Sequence, residues 1–494
     1  MAIPKVMGSE IEYGITVKGD PDFDPISSCV LLVNCYREEH YGEILWDYDQ
    51  ENPLADARGF QVDGEKYTPN QQENIARNKT LVNGARYYVD HAHPEYSCPE
   101  VTNARELVIH EKAGERILEV SRREASSLLP AGAEMLLYKN NSDRKGNSYG
   151  AHENFLMDRR TSFKQIVEHL MPFFVTRQVY CGAGKVGSEN RAHPCDFQIS
   201  QRADFFETEV ALDTMVKRPI INTRDEPHAD REKYRRLHVI VGDANLSEYT
   251  IYLRTGVTAL VLSMIEDGAI RKNLALRDPV AAIKEVSHDP DCRHALHLEN
   301  GKRLTAVEIQ AEYLEMALAY CAGREVSAET EDVLVKWQSA IESLRRDPME
   351  LERQVDWVMK KAMIESFMQR KSLSWDAPQV QMLDLQYHDL RPDKGLYYML
   401  ERQGRAERIV TDAEIALAIG KPPEDTRAYF RGECLRRYGS AVFGVNWDSI
   451  SFSVDEEPIR RILMAEPLKG SRVHVEELLN QSPTAADLVR NLRA

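Results

Sequence analysis

The 494 residues of the chain exceed what a single compact core usually organises, so we expect one large domain and a smaller one. The hydrophobic share of 43% and the charged share of 29% are typical of globular proteins, and no apolar run approaches the roughly 18 residues of a membrane span. A net charge of −16 argues against general nucleic-acid binding, which requires a basic surface.

The cysteines and the first residues indicate the compartment. None of the eight cysteines forms a Cys-x-x-Cys pair or a zinc-type spacing, so reduced thiols are the simplest interpretation. The segment from Met1 to Lys5 shows no basic region followed by an apolar stretch, and no export signal is visible. We therefore expect a cytoplasmic protein with no membrane partner.

The first predicted strand, Val6 to Ile15, carries two carboxylates on one face. Glu10 and Glu12 alternate with Ile11 and Tyr13, which fall on the apolar face. Two carboxylates about 7 Å apart along a strand repel each other unless a cation lies between them. Mg²⁺ prefers oxygen ligands of this kind. The alternative interpretation is a solvent-facing edge strand, which is common for a Glu-x-Glu pattern.

An insertion at about 37–75 has neither a clean helix nor a clean strand period. Its central part mixes Trp46, Tyr48, Leu54 and Phe60 with several acidic residues. Long irregular segments inside a domain are usually functional or disordered. Because the aromatic residues argue against a solvated linker, we expect a loop that folds over a site.

The stretch from Asn83 to Ser97 predicts a strand that begins after an Asn-Gly turn signal. Arg86, Tyr88 and Asp90 share one face, and a His-Pro-Glu segment follows. A cation, a phenol and a carboxylate on one sheet face are costly to bury unless they meet a ligand or water. A polar strand that faces solvent is the competing interpretation.

A third polar strand face follows a predicted helix over Ala104–Ser127 and a short strand at Leu136–Tyr138. His152 and Asn154 are two residues apart and therefore share a face. A neutral imidazole is a good ligand for a divalent metal or a good neighbour for phosphate. A hydrogen-bonded structural role is the alternative for a single histidine.

Arginines and histidines then concentrate at Arg202 and between Arg218 and His238. Arginine near threonine and asparagine at strand ends binds carboxylates and phosphates through paired hydrogen bonds. An exposed connector of mixed charge is the alternative.

The remaining chain predicts scaffold helices over 300–372, followed by a boundary marked by prolines near Lys421. The segment Leu383–Asp389 carries polar residues to which no role is assigned. Beyond the boundary we predict a helix over Thr426–Tyr438 and a strand over Val445–Ser453. We therefore expect a large domain over 1–422 and a small α/β domain over 423–494.

Three motifs occur in a fixed order: Gly-x-Glu-x-Glu-Tyr-Gly at 8–14, Arg-x-Tyr-x-Asp at 86–90, and Asn-x-x-Gly-x-His-x-Asn at 147–154. With them the chain resembles the glutamine synthetase and glutamate–cysteine ligase superfamily. Within it the chain closely resembles the ligase/deamidase family that acts on the prokaryotic ubiquitin-like protein, Pup. The resemblance implies an α+β fold in which a curved antiparallel sheet packs with helices and binds ATP and Mg²⁺. It covers the chain from about residue 5 to the C-terminus.

Two branches of this family catalyse opposite reactions, and the chain is more similar to the deamidase/depupylase branch. Its Asp90–Glu95 segment lacks one residue that the ligase pattern has between the aspartate and the histidine. The insertion around Trp46–Phe60 resembles a loop of the deamidase branch, and Thr426–Arg437 is also closer to that branch. The alternatives are a Pup–protein ligase and a non-catalytic Pup-binding protein.

The function implied by the resemblance is hydrolysis, dependent on ATP and Mg²⁺, of the C-terminal glutamine amide of Pup and of the isopeptide bond in pupylated proteins. Asp90 matches the catalytic aspartate, as either nucleophile or general base. The other roles implied by position are metal binding by Glu10, Glu12, Tyr88, Glu95 and His152, ATP contact by Arg86 and Trp447, and substrate binding by Arg202, Arg224 and His238. Cys98 stands where the ligase has a nucleotide-contacting threonine, so that contact is not carried over.

Overall fold

The computed structural model describes residues 1–38, 43–49, 51–64, 68–214, 217–454 and 458–492. The parts of the predicted insertion at 39–42, 50 and 65–67 therefore lie outside the described residues. Across the described ranges, no helix combines the length and the apolar character that crossing a membrane requires. All eight cysteines are free thiols.

Strands and helices both contribute to the core. The strands are β1 (Met7–Glu12), β2 (Gly14–Lys18), β3 (Leu45–Trp46), β4 (Ala55–Asp56), β5 (Phe60–Gln61), β6 (Asn78–Thr80), β7 (Arg86–Asp90), β8 (His93–Ser97), β9 (Glu134–Tyr138), β10 (Ala151–Asp158), β11 (Lys185–Val186), β12 (Phe197–Gln198), β13 (Phe206–Ala211), β14 (Arg218–Asn222), β15 (Tyr234–Val239), β16 (Ala295–His297), β17 (Arg303–Thr305), β18 (Val442–Asn446), β19 (Ser449–Phe452) and β20 (Arg460–Leu463). The helices are α1 (Pro25–Cys35), α2 (Gln71–Arg77), α3 (Ala104–Ser127), α4 (Phe163–Cys181), α5 (Glu248–Glu266), α6 (Pro279–Ser287), α7 (Ala306–Cys321), α8 (Ala328–Arg346), α9 (Asp356–Lys371), α10 (Pro378–Tyr387), α11 (Leu396–Arg402), α12 (Asp412–Gly420), α13 (Ala428–Tyr438), α14 (Arg472–Asn480) and α15 (Ala485–Asn491).

A six-stranded antiparallel sheet positions the polar residues that the sequence singles out. Its strand order is β15-β10-β1-β8-β7-β6. The register places Glu12 opposite Glu95 and Glu10 opposite His152. Because side chains alternate along every strand, one face of the sheet collects these polar groups across several strands.

The other face of the same sheet is apolar and packs against helices. Ile11, Tyr87 and Tyr96 are completely buried there. Helix α1 packs on β7 and β8, α3 packs on β1, and α5 packs on β10. Each large apolar side chain removed from water in this way contributes about 1.5–3 kcal/mol. The helices therefore hold the sheet while leaving its polar face open.

The predicted helices agree with the structure, and one of them agrees residue for residue. Helix α3 has the predicted bounds, and α7, α8 and α9 lie within the region predicted to be helical over 300–372. Helix α5 begins at Glu248, because the hydroxyl of Ser247 accepts a hydrogen bond from the Thr250 amide and caps the helix there.

The strand predicted over Val445–Ser453 is wrong. Strands β18 and β19 form an antiparallel hairpin instead, with Asn446 opposite Ser449 and a two-residue turn between them. Alternation of apolar and polar residues continues through such a tight turn, so the pattern does not reveal the reversal. Trp447 consequently lies on a turn rather than in a strand.

The C-terminal segment has its own apolar cluster and a four-stranded sheet of order β20-β19-β18-β3. Strand β3 belongs to the insertion and pairs in parallel with β18, Trp46 beside Val445. The insertion is thus more regular than the sequence predicts, since it also contains β4, β5 and most of α2. It connects the C-terminal segment to the polar face of the central sheet.

Candidate functional site

A cleft of about 740 Å³ opens over the polar face of the central sheet. Its walls come from the sheet, the insertion, β14 and the β18–β19 turn. All eleven residues that the sequence assigns to catalysis, metal, ATP or substrate line it: Glu10, Glu12, Arg86, Tyr88, Asp90, Glu95, His152, Arg202, Arg224, His238 and Trp447.

Two clusters of potential metal ligands lie side by side in the cleft. Glu10, His152 and His238 form one cluster, and Glu12, Asp90 and Glu95 form the other. Within each cluster the ligand atoms lie within 4.8 Å of one another. His238 and Asp90, to which the sequence assigns other roles, thus lie among the candidate ligands.

The first cluster is held by neighbouring donors. Asn154 Nδ2 donates to Glu10 Oε1 at 2.8 Å, and His152 Nδ1 lies 3.4 Å from Glu10 Oε2. Burial alone raises the pKa of Glu10, but the hydrogen bond with His152 and the charges of His238 and Arg236 hold that pKa well below its ordinary value. Glu10 is therefore a carboxylate at neutral pH.

The second cluster places three carboxylates together. Burial, followed by the charges of Asp90, Glu12 and Glu10, raises the pKa of Glu95 well above its ordinary value. A bound cation relieves this repulsion. Gly150 has no side chain, so the space between His152 and Glu12 stays open. A Cβ at this position would lie only 2.5 Å from His152 Nε2 and 2.8 Å from Glu12 Oε1. The oxygen donors of this cluster fit a hard divalent ion.

Asp90 is the last residue of β7, next to the turn that leads into β8. His91, in the left-handed conformation at φ 51°, places its Nδ1 3.0 Å from Asp90 Oδ2. Burial raises the pKa of Asp90, but the hydrogen bond from His91 and the charges of His91, Arg86 and His152 bring it below its ordinary value. Asp90 is therefore ionised and able to act as a base or a nucleophile.

Arg86 lies between aromatic rings at the opposite end of β7. Its guanidinium carbon is 4.0 Å from the ring centre of Trp46 and 3.8 Å from that of Tyr88. Trp447 meets the ring of Trp46 edge to face, with 5.3 Å between the centres. The two residues that the resemblance assigns to ATP contact are thus joined through a tryptophan of the insertion.

The three predicted substrate-binding residues divide between different parts of the cleft. His238 Nδ1 lies 2.9 Å from Asn154 Oδ1, beside Glu10. Arg224 follows β14, where its backbone N–H donates to Asn222 Oδ1. Arg202 belongs to another wall and donates to Ser148 Oγ.

A smaller, mostly apolar cavity of about 80 Å³ adjoins the cleft. It extends from Glu10 along β1 towards Val6 and is closed by Pro227, Pro467 and Trp447. The cleft therefore has an apolar end beside Trp447 and a charged end beside Asp90.

The sequence interpretation missed Arg236 as an individual site residue. Its Nη1 lies 2.9 Å from Asn154 Oδ1 and 3.4 Å from Glu10 Oε1. Alternation along β15 could have identified it, because Arg236 and His238 are two residues apart and therefore share a face of the sheet.

These observations define an α+β protein in which a helix-backed antiparallel sheet presents an enzyme-like cleft lined with carboxylates, imidazoles and arginines. The model of the Pup-ligase protein family matches residues 5–451. The chain belongs to this family, which confirms the resemblance found in the sequence.

Curated relatives match the chain almost from end to end. It is 51% identical over 498 residues to the depupylase of Acidothermus cellulolyticus, and 46% identical over 495 residues to the Pup deamidase/depupylase of Mycolicibacterium smegmatis. Each comparison covers 99% of both proteins. The Pup–protein ligase of Kineococcus radiotolerans is 42% identical over 82% of this chain and 90% of its own length.

Solved structures confirm the predicted fold class. The ligase PafA in complex with Pup superposes with a TM-score of 0.81 and 33% identity, covering 97% of this chain and 91% of that chain. PafA in complex with ADP gives a TM-score of 0.75 and 34% identity, covering 85% of this chain and 96% of that chain.

Proposed function

We propose that this protein is a nucleotide- and Mg²⁺-dependent hydrolase that deamidates the C-terminal glutamine of Pup and releases Pup from conjugated lysines. The observation that carries the proposal is the position of an ionised Asp90 beside Glu12 and Glu95 at the charged end of the cleft. The match over 99% of both proteins to relatives named depupylase and Pup deamidase/depupylase supports this function.

Both substrates are amides of a γ-carboxyl group, so one site serves both reactions. The C–N bond breaks, water supplies the oxygen and protons, and ammonia or the lysine amine leaves. Asp90 acts either as a nucleophile that forms an acyl intermediate or as a base that takes a proton from the attacking water. Its lowered pKa suits both roles, because each requires the carboxylate form.

The cleft has the donor set that a nucleotide and Mg²⁺ require. Glu10, Glu12 and Glu95 provide oxygen ligands, and Tyr88 and His152 lie beside them on the same face. When bound, the metal neutralises phosphate charge and relieves the repulsion among these carboxylates. Arg86 and Trp447, which line the cleft, would contact the nucleotide through a cation and an aromatic ring. The ADP complex of PafA supports nucleotide binding.

The ligase reaction is the second candidate function. The relative named Pup–protein ligase, at 42% identity, favours it, because the same fold and nucleotide site serve bond formation. That relative covers less of this chain than the depupylases do.

Incubation with ATP, Mg²⁺ and Pup ending in glutamine separates the two functions. We expect mass spectrometry to show conversion of the terminal glutamine to glutamate. We also expect the protein to release the unmodified target protein from a Pup conjugate. No conversion, combined with attachment of Pup ending in glutamate to a lysine substrate, would establish the ligase instead.

A further inference from the structure

The segment Leu383–Asp389, to which the sequence assigns no role, takes part in a buried polar cluster. Lys360 Nζ of α9 donates to Asp384 Oδ1 at 2.8 Å and to Gly184 O at 2.6 Å. Its third partner is His388 Nε2, at 2.7 Å. Lys360 is completely buried, and Asp384 and His388 are no more than 4% exposed. Because a buried ammonium is costly unless its protons are all accepted, a cluster that satisfies it fixes one arrangement of the elements that meet there.

His388 connects this cluster to the segment that follows β9. Lys360 Nζ and Gln201 Nε2 both lie 2.7 Å from His388 Nε2, and because both can only donate, the ring proton is on Nδ1. His388 Nδ1 then donates to Lys139 O at 2.6 Å, and the Lys139 amide donates to His388 O at 2.9 Å. Burial, followed by the charge of Lys360, holds the pKa of His388 well below its ordinary value, so the ring is neutral at pH 7. The ring thus fixes the start of the loop over 139–150.

Gln201 extends the network to Tyr149, which lines the cleft. The Asn141 amide donates to Gln201 Oε1 at 2.7 Å. Two hydrogen bonds then join Asn141 to Tyr149: Asn141 Nδ2 donates to Tyr149 O at 3.1 Å, and the Tyr149 amide donates to Asn141 O at 3.2 Å. The Ala244 amide also holds Asn141, because it donates to Asn141 Oδ1 at 2.6 Å. Buried groups therefore set the backbone position of Tyr149.

The ring of Tyr149 contacts the hairpin that carries Asp90. It stacks on the ring of His93 with 4.5 Å between the centres and 29° between the planes. His93 is the first residue of β8 and pairs with Asp90, the last residue of β7. His93 Nδ1 also lies 3.5 Å from Glu12 Oε2. A displacement of Tyr149 would therefore shift His93 and, with it, the backbone opposite Asp90.

We propose that Gln201 and His388 are positioning residues for the hydrolysis. Through Asn141 and the ring of Tyr149, they hold the turn that carries Asp90 in the geometry that the reaction needs. This inference rests on the proposed function and adds residues that act on it from outside the cleft. A misplacement of about 1 Å caused far from the reacting atoms can lower a rate about a hundredfold. The expected defect is in kcat rather than in KM, because the alignment of Asp90 changes while the contacts with Pup stay in place.

The first test is Gln201→Met, which keeps the length of the side chain and removes the acceptor of the Asn141 amide. With ATP, Mg²⁺ and Pup ending in glutamine, we expect kcat to fall about ten- to a hundredfold while KM for Pup changes less than about twofold. Gln201→Glu keeps an oxygen acceptor and should recover part of kcat. A carboxylate at this position would lie next to an ammonium, because Gln201 Nε2 and Lys360 Nζ both donate to Gly184 O.

Gln310→Met is the matched control, because it makes the same substitution at a completely buried glutamine outside the cleft. Gln310 Nε2 donates to Phe173 O at 3.1 Å and to Thr176 Oγ1 at 2.8 Å, so this variant also loses buried hydrogen bonds. It should lower the melting temperature much as Gln201→Met does and leave kcat unchanged. An equal loss of kcat in both variants would show that general destabilisation lowers the rate, and it would overturn the inference.

Tyr149→Leu tests the same path from the cleft side and leaves the buried cluster intact. It should lower kcat by itself. Adding Gln201→Met to it should change kcat less than about twofold, because two residues that act through one contact are not additive. Losses that multiply in the double variant, or an unchanged kcat in Tyr149→Leu, would overturn the inference.

Hydrogen exchange provides a measurement that does not require activity. In Gln201→Met we expect faster exchange of the backbone amides over 139–150 and over 90–95, and in Gln310→Met we expect neither change. Unchanged exchange over 90–95 in Gln201→Met, with Pup hydrolysed by the unmodified protein, would contradict the inference alone. If the unmodified protein hydrolysed neither Pup nor its conjugates, the proposed function itself would fail, and the inference would fail with it.

Discussion

The guanidinium of Arg86 lies 4.0 Å from the ring centre of Trp46, although 40 positions of the sequence separate the two residues. Trp46 reaches this position because β3 adds to the C-terminal sheet beside β18. Its ring also meets Trp447. One residue of the insertion therefore contacts both residues for which we propose ATP contact, so the insertion would support the nucleotide there.

Replacement of Trp46 by alanine should weaken ATP binding. A buried cation–π contact is worth about 2 kcal/mol, so loss of this ring predicts an affinity roughly ten- to thirtyfold lower in calorimetric titration. Trp46→Phe should retain most of the affinity. Phe60→Ala, which removes a half-exposed ring of the same insertion, serves as the control. Unchanged affinity in Trp46→Ala would show that the insertion does not support the nucleotide.

Replacement of Asp90 by asparagine should abolish hydrolysis while Pup binding persists. The amide keeps the size of the side chain but removes the base or nucleophile, and general-base catalysis alone contributes about 10²–10⁴-fold. Asp393→Asn, at a side chain that is 74% exposed, should leave the rate unchanged. Cleavage of a Pup conjugate by Asp90→Asn at the original rate would exclude the role proposed for Asp90.

The alternation of residues along single strands was sufficient to predict much of the site's composition. It assigned Glu10 and Glu12 to one face and His152 and Asn154 to another, and the register confirms that these faces belong to one sheet surface. The neighbours across strands could not be predicted from alternation, because strand order depends on packing between distant segments. The grouping of His238 with Glu10 is an example, since it requires β15 to pair with β10.

The largest error concerned the segment around Trp447. Local pattern indicated one strand, whereas the chain reverses after Asn446 and exposes Trp447 to the cleft. The parallel pairing of β3 with β18 could not be predicted from the sequence either, because a two-residue strand has no periodicity of its own.

Replacement of Glu10 by glutamine should reduce the affinity for ATP in the presence of Mg²⁺. The substitution keeps the hydrogen-bonding shape and removes one anionic ligand, and we expect binding at least about tenfold weaker, or 1.4 kcal/mol. In excess EDTA, which removes Mg²⁺, the ATP affinities of Glu10→Gln and of the unmodified protein should differ less. Glu352→Gln, at an exposed position outside the cleft, controls for net charge. If Glu10→Gln and the unmodified protein bound ATP equally in Mg²⁺, Glu10 would not be a metal ligand.

A buried ion-pair cluster predicts how pH affects the attachment of the C-terminal segment. Glu100 Oε1 accepts from Arg427 Nε at 2.9 Å and from Arg431 Nη1 at 3.3 Å. Burial raises the pKa of Glu100, but the charges of Arg431 and Arg427 outweigh it and lower the pKa to about 2. Because the folded value lies below the ordinary value of 4.5, the stabilisation is complete above pH 4.5 and is lost as the pH falls towards 2.

The magnitude of this stabilisation is on the order of 3 kcal/mol. Glu100→Gln should therefore lower the urea midpoint of the C-terminal segment at pH 7, measured by fluorescence of the tryptophans. The difference from the unmodified protein should shrink between pH 4.5 and pH 3, because protonation removes the same charge. Glu424→Gln, whose side chain is 58% exposed and pairs with Arg472, should cause little change at either pH, since exposed ion pairs contribute little. A difference that stayed constant with pH would show that shape, and not the charge of Glu100, holds α13 to the central sheet.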